Sequence, residues 1–381
     1  MKKKILALLL ALGLLLTMAA CGSTEEPADT SAPADTSAPA DTAAPAGLDY
    51  EAAYATFAPE EVLFSVDGRE ITWCEYFYTL SYVMQMVEYY GGVADWDAVF
   101  EMAGSGQTYR EFVTDYAVSM CKQNAVINNI AEEKGVAFTA EELDAIWKDV
   151  VASSGYSDEN TFVQAVEAQR LTKDVYLYIS NTAQLFDRLF EVDYGIGGAA
   201  FPDADVLSFA EENGYIMAKH ILLSKKDDAG AALSEDEAAA KLARAEEILA
   251  EINAAEDKAA KFDQLMIANS EDAGFTYYPA GYIFTRGEMV ESFENAAFGM
   301  EPGEISGIVE SPHGYHIIMR VEIDPKATLD INPETGEAVT LQYFVAQKFF
   351  AEKYAAVVKA AVLDETEAYA GLDLNDIFPA G

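Results

Sequence analysis

The sequence predicts an α+β protein in which a small mixed unit is inserted in, or follows, a mostly helical region. Three observations predict it. Apolar residues recur at helical spacing through 61–193 and again through 340–363, whereas the stretch 214–323 alternates strand-like runs with short helices. A hydrophobic content of 51% over 381 residues is a folding composition, enough for two or three domains. The expected segments are 1–20, 21–47, 48–213, 214–323 and 324–381.

The first twenty residues, MKKKILALLLALGLLLTMAA, place three lysines before an apolar run and a small-residue end, the layout of an export signal. That run is too short for a comfortable membrane span. Cys21 follows in MAACGS, which resembles the lipobox of bacterial lipoproteins, where the chain is cleaved and acylated on the new N-terminal Cys. The resemblance implies lipidation at Cys21, and an extracytoplasmic chain anchored to the outer face of the cytoplasmic membrane and touching it only through that anchor. Through 21–47 a PADTSA-type hexapeptide recurs, with prolines at 27, 33, 39 and 45 and no large apolar side chain in the repeats. Such a Pro/Ala/Thr-rich linker reaches at most roughly 80 Å at ~3.1 Å per residue.

The formal charge is −41, with 24 basic against 65 acidic residues, and loss of Lys2, Lys3 and Lys4 makes it more negative still. A field of that sign repels nucleic acid and anionic lipid surfaces, so no nucleic-acid partner is expected. Cys74 and Cys121 both lie in apolar helical patterns, which predicts buried free thiols.

VLFSVDGREIT, from position 62, reads as two strand edges around a DG turn, followed by a capping box at Thr72–Glu75 that opens a helix with Phe77, Leu80, Met84 and Val87 on one stripe. Similar boxes at Thr108–Glu111 and Thr139–Glu142 open two more helices, and another covers about 172–192. The Gly-rich stretch GIGGAAFPD, 195–203, marks a break. Beyond it, 218–223 reads as a strand, Ser234–Glu237 caps a helix running to about 254, and a further helix lies around Phe262–Ala268. GYIFTRGEM, a short helix SFENAAF, a turn at EPGE and two strand-like runs around SPHG complete a compact unit. The helical pattern of 340–363 would be marginal alone and is expected to pack back on the first helical region.

The chain holds three histidines, His220, His313 and His316. HxxH at 313–316 looks like metal-ligand spacing, but Gly314 and the β-branched pair Ile317–Ile318 argue for a turn into a strand, where positions three apart face opposite ways. No metal site is expected. A Ser-His-Asp hydrolase built on Ser270 or Ser311 is disfavoured because no GxSxG elbow is present.

Six blocks occur in order between 218 and 322: AKHILL, SED, RGEM, SFENAAF, EPGEISGIVES and GYHIIMRVE. In that order they resemble the parvulin family of peptidyl-prolyl isomerases. The resemblance implies a parvulin domain, a four-stranded sheet with surrounding helices, that isomerises X-Pro bonds without a cofactor. It assigns catalytic positions to His220, Asp272, His316 and Ser311, and a proline-binding pocket to Phe284, Met289 and Phe293. His313 falls at a turn position that the family does not fix. The lipoprotein layout with helical flanks resembles extracytoplasmic foldases of the PrsA and SurA type, which implies a SurA-N-like chaperone region and unfolded or partly folded exported polypeptides as partners. The chain departs from the family at 279–285, PAGYIFT, where a GGDLG-like segment is usual and only Gly281 is clearly equivalent. That departure favours an alternative in which the unit has lost turnover and only holds proline-containing segments. Aromatics and methionines such as Tyr76, Phe77, Tyr82, Met84, Met86, Tyr89 and Tyr90 are read mainly as core rather than as a client cradle.

Overall fold

The computed structural model describes residues 50–378 apart from 92, 94, 102, 103, 228 and 334. The expected signal, Cys21 and the linker therefore lie outside the described residues. The described residues divide into two units, one formed by those up to Asp193 together with those from Phe350 onward, the other by those from Tyr194 to Phe349.

In the first unit, a short helix α1 (Tyr50–Tyr54) precedes strands β1 (Val62–Val66) and β2 (Arg69–Thr72). The turn between the strands puts Asp67 and Gly68 at φ 48° and 84°, the left-handed pair that matches the twist of a tight hairpin. Helix α2 (Trp73–Gly91) starts where the Thr72 hydroxyl accepts the Glu75 N–H at 3.4 Å. The reciprocal bond of a capping box is not made there. The Glu75 side chain is 5% exposed, its Oε1 has no hydrogen-bond partner among the described residues, and burial raises its pKa to about 8 against the pull of Arg69. Both bonds of the box do form at Thr108, which opens α3 (Tyr109–Glu133), and at Thr139, which opens α4 (Ala140–Ser153).

Helix α5 (Glu159–Ala168), not anticipated from the sequence, buries only Phe162 and Val166 of its ten residues, too thin a stripe to announce itself. With α6 (Lys173–Tyr194) it packs Phe162 and Leu177 around Trp147 of α4. Tyr76, Phe77 and Met84 are buried core, as the helical stripe requires, whereas Tyr89 is exposed. Cys74 and Cys121 are buried free thiols.

The second unit starts with a 3₁₀ turn at Ile196–Gly198 and a helix, α7 (Asp203–Glu212), where the sequence suggested only a break. Strand β3 (Ile216–Ser224) leads to α8 (Glu235–Ala254), capped by the Ser234–Glu237 box, and α9 (Lys258–Asn269). After a 3₁₀ turn at Ala273–Thr276 come β4 (Tyr282–Phe284), α10 (Glu291–Phe298), β5 (Ile305–Glu310) and β6 (Gly314–Val321). These strands form one antiparallel sheet in the order β4-β3-β6-β5.

Side chains alternate across that sheet, so each face has its own core. Ile221, Leu223, Ile317 and Met319 face α8 and α9 and meet Ile248 and Phe262. Ile216, Ala218 and Ile318 point the other way, onto Phe284, Phe293 and Ala297. It is this second face that carries the polar groups described below. A further hairpin, β7 (Thr328–Ile331) and β8 (Ala338–Thr340), absent from the sequence reading, precedes α11 (Leu341–Ala360).

Helix α11 begins in the second unit and ends in the first, where Phe350 packs on Phe186 with ring centroids 4.7 Å apart and Tyr354 meets the same ring at 5.4 Å. Strand β9 (Leu363–Glu365) then pairs with β1, giving the order β2-β1-β9, and two short helices, α12 (Glu367–Ala370) and α13 (Leu374–Ile377), follow. No helix among the described residues is long and apolar enough to cross a membrane.

Candidate active site

Register decides which side chains meet. In the β3–β6 ladder His220 lies opposite Ile318 and Leu222 opposite His316, so the two histidines project from the same face as diagonal neighbours. Their rings stack at 11° with centroids 5.2 Å apart, and the two Nδ1 atoms are 3.0 Å apart. His220 Nε2 reaches Asp272 Oδ2 at 2.9 Å, and His316 Nε2 reaches the Ser311 hydroxyl at 2.7 Å. The four residues assigned to catalysis by resemblance thus form one line: Ser311, His316, His220, Asp272. His313 stands outside it and contributes its backbone N–H, which donates to Ser311 Oγ at 3.0 Å.

The direction of each bond follows from counting donors. Ser311 Oγ accepts the N–H groups of His313 and Gly314, at 3.0 and 3.4 Å, so its own proton points at His316 Nε2. His316 then carries its proton on Nδ1 and donates to His220 Nδ1. His220 in turn donates from Nε2 to the carboxylate of Asp272. Burial, with His220 and His313 close by, pushes the His316 pKa down to about 3, so this imidazole stays neutral. Burial works to raise the Asp272 pKa, but hydrogen bonds from His220, Tyr282 and the Gly274 N–H outweigh it and hold the carboxyl at about 2. The result is a polarised chain that ends on a fixed negative charge.

This is not a nucleophile-and-base arrangement. Ser311 is buried and saturated by backbone donors, and Asp272 orients His220 rather than the histidine that touches Ser311. Ser270 accepts the Leu222 N–H at 3.1 Å and so braces β3.

Over the imidazoles lies apolar surface. Phe293, on α10, stands edge-on to both rings, with centroids 5.2 Å from His220 and 5.4 Å from His316. Phe284, fully buried on β4, is 5.9 Å from Phe293, and Met289, half-buried, belongs to the same cluster. The turn bearing Met289 is pinned from both sides: the Thr285 N–H donates to Glu288 Oε2 at 2.6 Å, and the Gly287 N–H to the buried Glu294 at 2.5 Å.

One residue in contact with the line was missed by reasoning from sequence. Tyr282, in the divergent segment 279–285, donates its hydroxyl to Asp272 Oδ2 at 2.6 Å. The signal available for it was a phenol at the head of a short strand, without any indication of which strand it would join.

The model of the rotamase family, the PPIC-type PPIASE domain, matches residues 220–322. This segment belongs to the parvulin family. The match begins at His220 and ends one residue past β6, so the parvulin domain contains the whole hydrogen-bonded line and its apolar cover. The peptidyl-prolyl cis-trans isomerase ssp-1 of Neurospora crassa is 57% identical over 42 residues, which is 11% of this chain and 22% of that protein. Identity to the chaperone SurA of Nitrosospira multiformis is 37% over 93 residues, 24% of this chain and 20% of the relative. The foldase protein PrsA of Staphylococcus aureus is 30% identical over 165 residues, 43% of this chain and 47% of the relative. The chain thus spans less than half the length of each of these relatives.

Proposed function

We propose that this chain is a peptidyl-prolyl cis-trans isomerase and foldase that acts on unfolded or partly folded exported polypeptides, held outside the cytoplasm by a lipid on Cys21. The hydrogen-bonded line beneath Phe293 is the observation that carries the reading. The parvulin assignment and the names of the relatives, isomerase, chaperone and foldase, support it.

Rotation about an X-Pro bond is slow because amide resonance must be broken, with a barrier of about 20 kcal/mol and a time of ~10–100 s unaided. No covalent step is needed. In this reading Phe284, Met289 and Phe293 take the pyrrolidine ring and exclude water from the amide. The planar amide is the more charge-separated form, so its loss of hydration exceeds that of the twisted state, and each 1.36 kcal/mol of that difference is worth tenfold in rate. His220, His316, Asp272 and Ser311 act as a rigid, fully satisfied polar floor that keeps the pocket open to substrate and closed to water. Nothing in this scheme moves a proton to or from the substrate, and no metal or cofactor takes part.

The segmental reading goes with this function: signal 1–20, tether 21–47, helical chaperone-like region 48–213, parvulin domain 214–323 and a helical return 324–381. A holdase without turnover is the competing reading, favoured by the unusual segment 279–285. Timing cis-to-trans conversion of a short X-Pro peptide separates them. The chain is expected to accelerate it, and Phe293→Ala to remove at least about 90% of the acceleration, the cost of deleting one large apolar contact to the ring. An unaccelerated peptide hands the site to the holdase reading.

A further inference from the structure

We infer that Tyr282 is a positioning residue of this site: its hydroxyl locks the Asp272 carboxylate in the orientation that holds His220, and so does work for which the divergent segment 279–285 supplies a device of its own. The inference rests on the isomerase reading above and adds a residue to it.

Three elements converge on the carboxylate. Oδ2 receives His220 Nε2 from β3 at 2.9 Å and the Tyr282 hydroxyl from β4 at 2.6 Å, while Oδ1 receives the Gly274 N–H of its own turn at 3.1 Å. With Tyr282 absent, Oδ2 keeps a single partner and the carboxylate is free to turn about its last bond. Register makes the meeting possible. Tyr282 lies opposite Ala218 in the β3–β4 ladder, two residues from His220 and on its face of the sheet. The ring of His220 is then gripped edge-on from two sides, by Tyr282 with centroids 5.6 Å apart and by Phe293 at 5.2 Å.

The turn after Asp272 is shaped around the same hydroxyl. A Cβ at Gly274 would lie 1.9 Å from Tyr282 Oη, 3.1 Å from its Cζ and 3.4 Å from Asp272 Oδ1. Only glycine leaves room for the phenol to reach the carboxylate. Behind it, the ring of Tyr278 lies 4.8 Å from that of Tyr282 and keeps it upright. Burial and the neighbouring carboxylate keep the Tyr282 phenol protonated, hence a donor, throughout the pH range in which a protein folds.

The test is Tyr282→Phe in the full chain, read three ways: isomerisation of an X-Pro peptide against pH, thermal midpoint, and the titration of the Asp272 carboxyl carbon by NMR. The groups that face Asp272 are His220 from β3 and Tyr282 from β4, with His316 and His313 beyond His220; Tyr282 itself faces Tyr278, which Asp330 influences. The expected result is a fold retained within a few degrees, a loss of roughly tenfold in kcat/KM as for one hydrogen bond to a charge, and an acid limb moved up by about one pH unit together with the Asp272 titration. Gly274→Ala should harm the native chain more than it harms Tyr282→Phe, because the atom that the new Cβ meets is gone. An unmoved Asp272 titration overturns the inference, whatever the rate. Should the unsubstituted chain not isomerise the peptide, the isomerase reading falls by itself, and the Asp272 titration still decides what Tyr282 does.

Discussion

The hydrogen-bonded line serves as a floor only while His316 stays neutral. His316 meets that condition because it is buried beside another imidazole, and the consequence can be read in stability. Its pKa falls from 6.5 in the unfolded chain to about 3 in the fold. Between those values the unfolded state binds a proton that the folded state refuses, so stability is lost as the pH drops from about 6.5 towards 3. Asp272 adds to the loss lower down: its contribution is present above its ordinary value of 3.8 and disappears as the pH falls through about 2. Replacing His316 by Gln removes the titrating group and keeps a donor and an acceptor. Denaturation series at pH 7 and pH 4 should show the parvulin domain of the native chain losing several kcal/mol more than that of His316→Gln. Equal losses would mean that His316 is protonated in the fold.

At this scale the sequence was legible where a resemblance supplied the pairing and silent where geometry alone did. His220 and His316 stand in strand-like blocks, and a family pattern is enough to place them together. Tyr282 could not be seen because its role depends on β4 joining β3 with Ala218 opposite it, a tertiary fact that no local pattern encodes. The capping pattern at Thr72–Glu75 misled in a related way. It forms only its first bond, since the core of the helical unit draws Glu75 inward and leaves the reciprocal bond unmade.

Elements follow from periodicity when they bury a full stripe. Helices α2, α3, α4, α6, α8 and α11 were all announced by apolar spacing, caps or both, whereas α5 and the β7–β8 hairpin bury little of themselves and gave no comparable signal. The parvulin sheet depends on what α8 and α9 place against its back. Phe262 on α9 is fully buried among Ile221, Ile317 and Ile248. Phe262→Ala is expected to cost roughly 3–5 kcal/mol of that unit's stability, measured by denaturant, and to lower activity only in proportion to the fraction unfolded. A variant as stable as the native chain would show that the back of the sheet is not held by this contact.

Across the whole molecule, the proposed working conditions follow from charge and from an anchor. In the proposed reading a net charge of −41 disfavours nucleic acid and anionic surfaces and favours basic, unfolded segments as the polypeptides met. In the proposed reading the prolines of 27–45 hold both units clear of the membrane, and the lipid on Cys21 does the anchoring. Cys21→Ser should abolish labelling of the chain by radioactive palmitate fed to producing cells, because the thiol that carries the lipid is gone. A chain labelled as strongly after that change would refute the anchor. The parvulin match covers residues 220–322, the stretch that holds the candidate site, and this is why the site was more legible than the clients.

In the proposed reading Phe284, Met289 and Phe293, packed over the paired imidazoles, speed X-Pro rotation by withholding water rather than by moving protons. Exchange NMR on an X-Pro peptide with a small fraction of the chain, run in light and in heavy water, tests this most directly. The account predicts interconversion accelerated well beyond the uncatalysed rate and by nearly the same factor in both solvents. No acceleration, or a rate cut by half or more in heavy water, would contradict it.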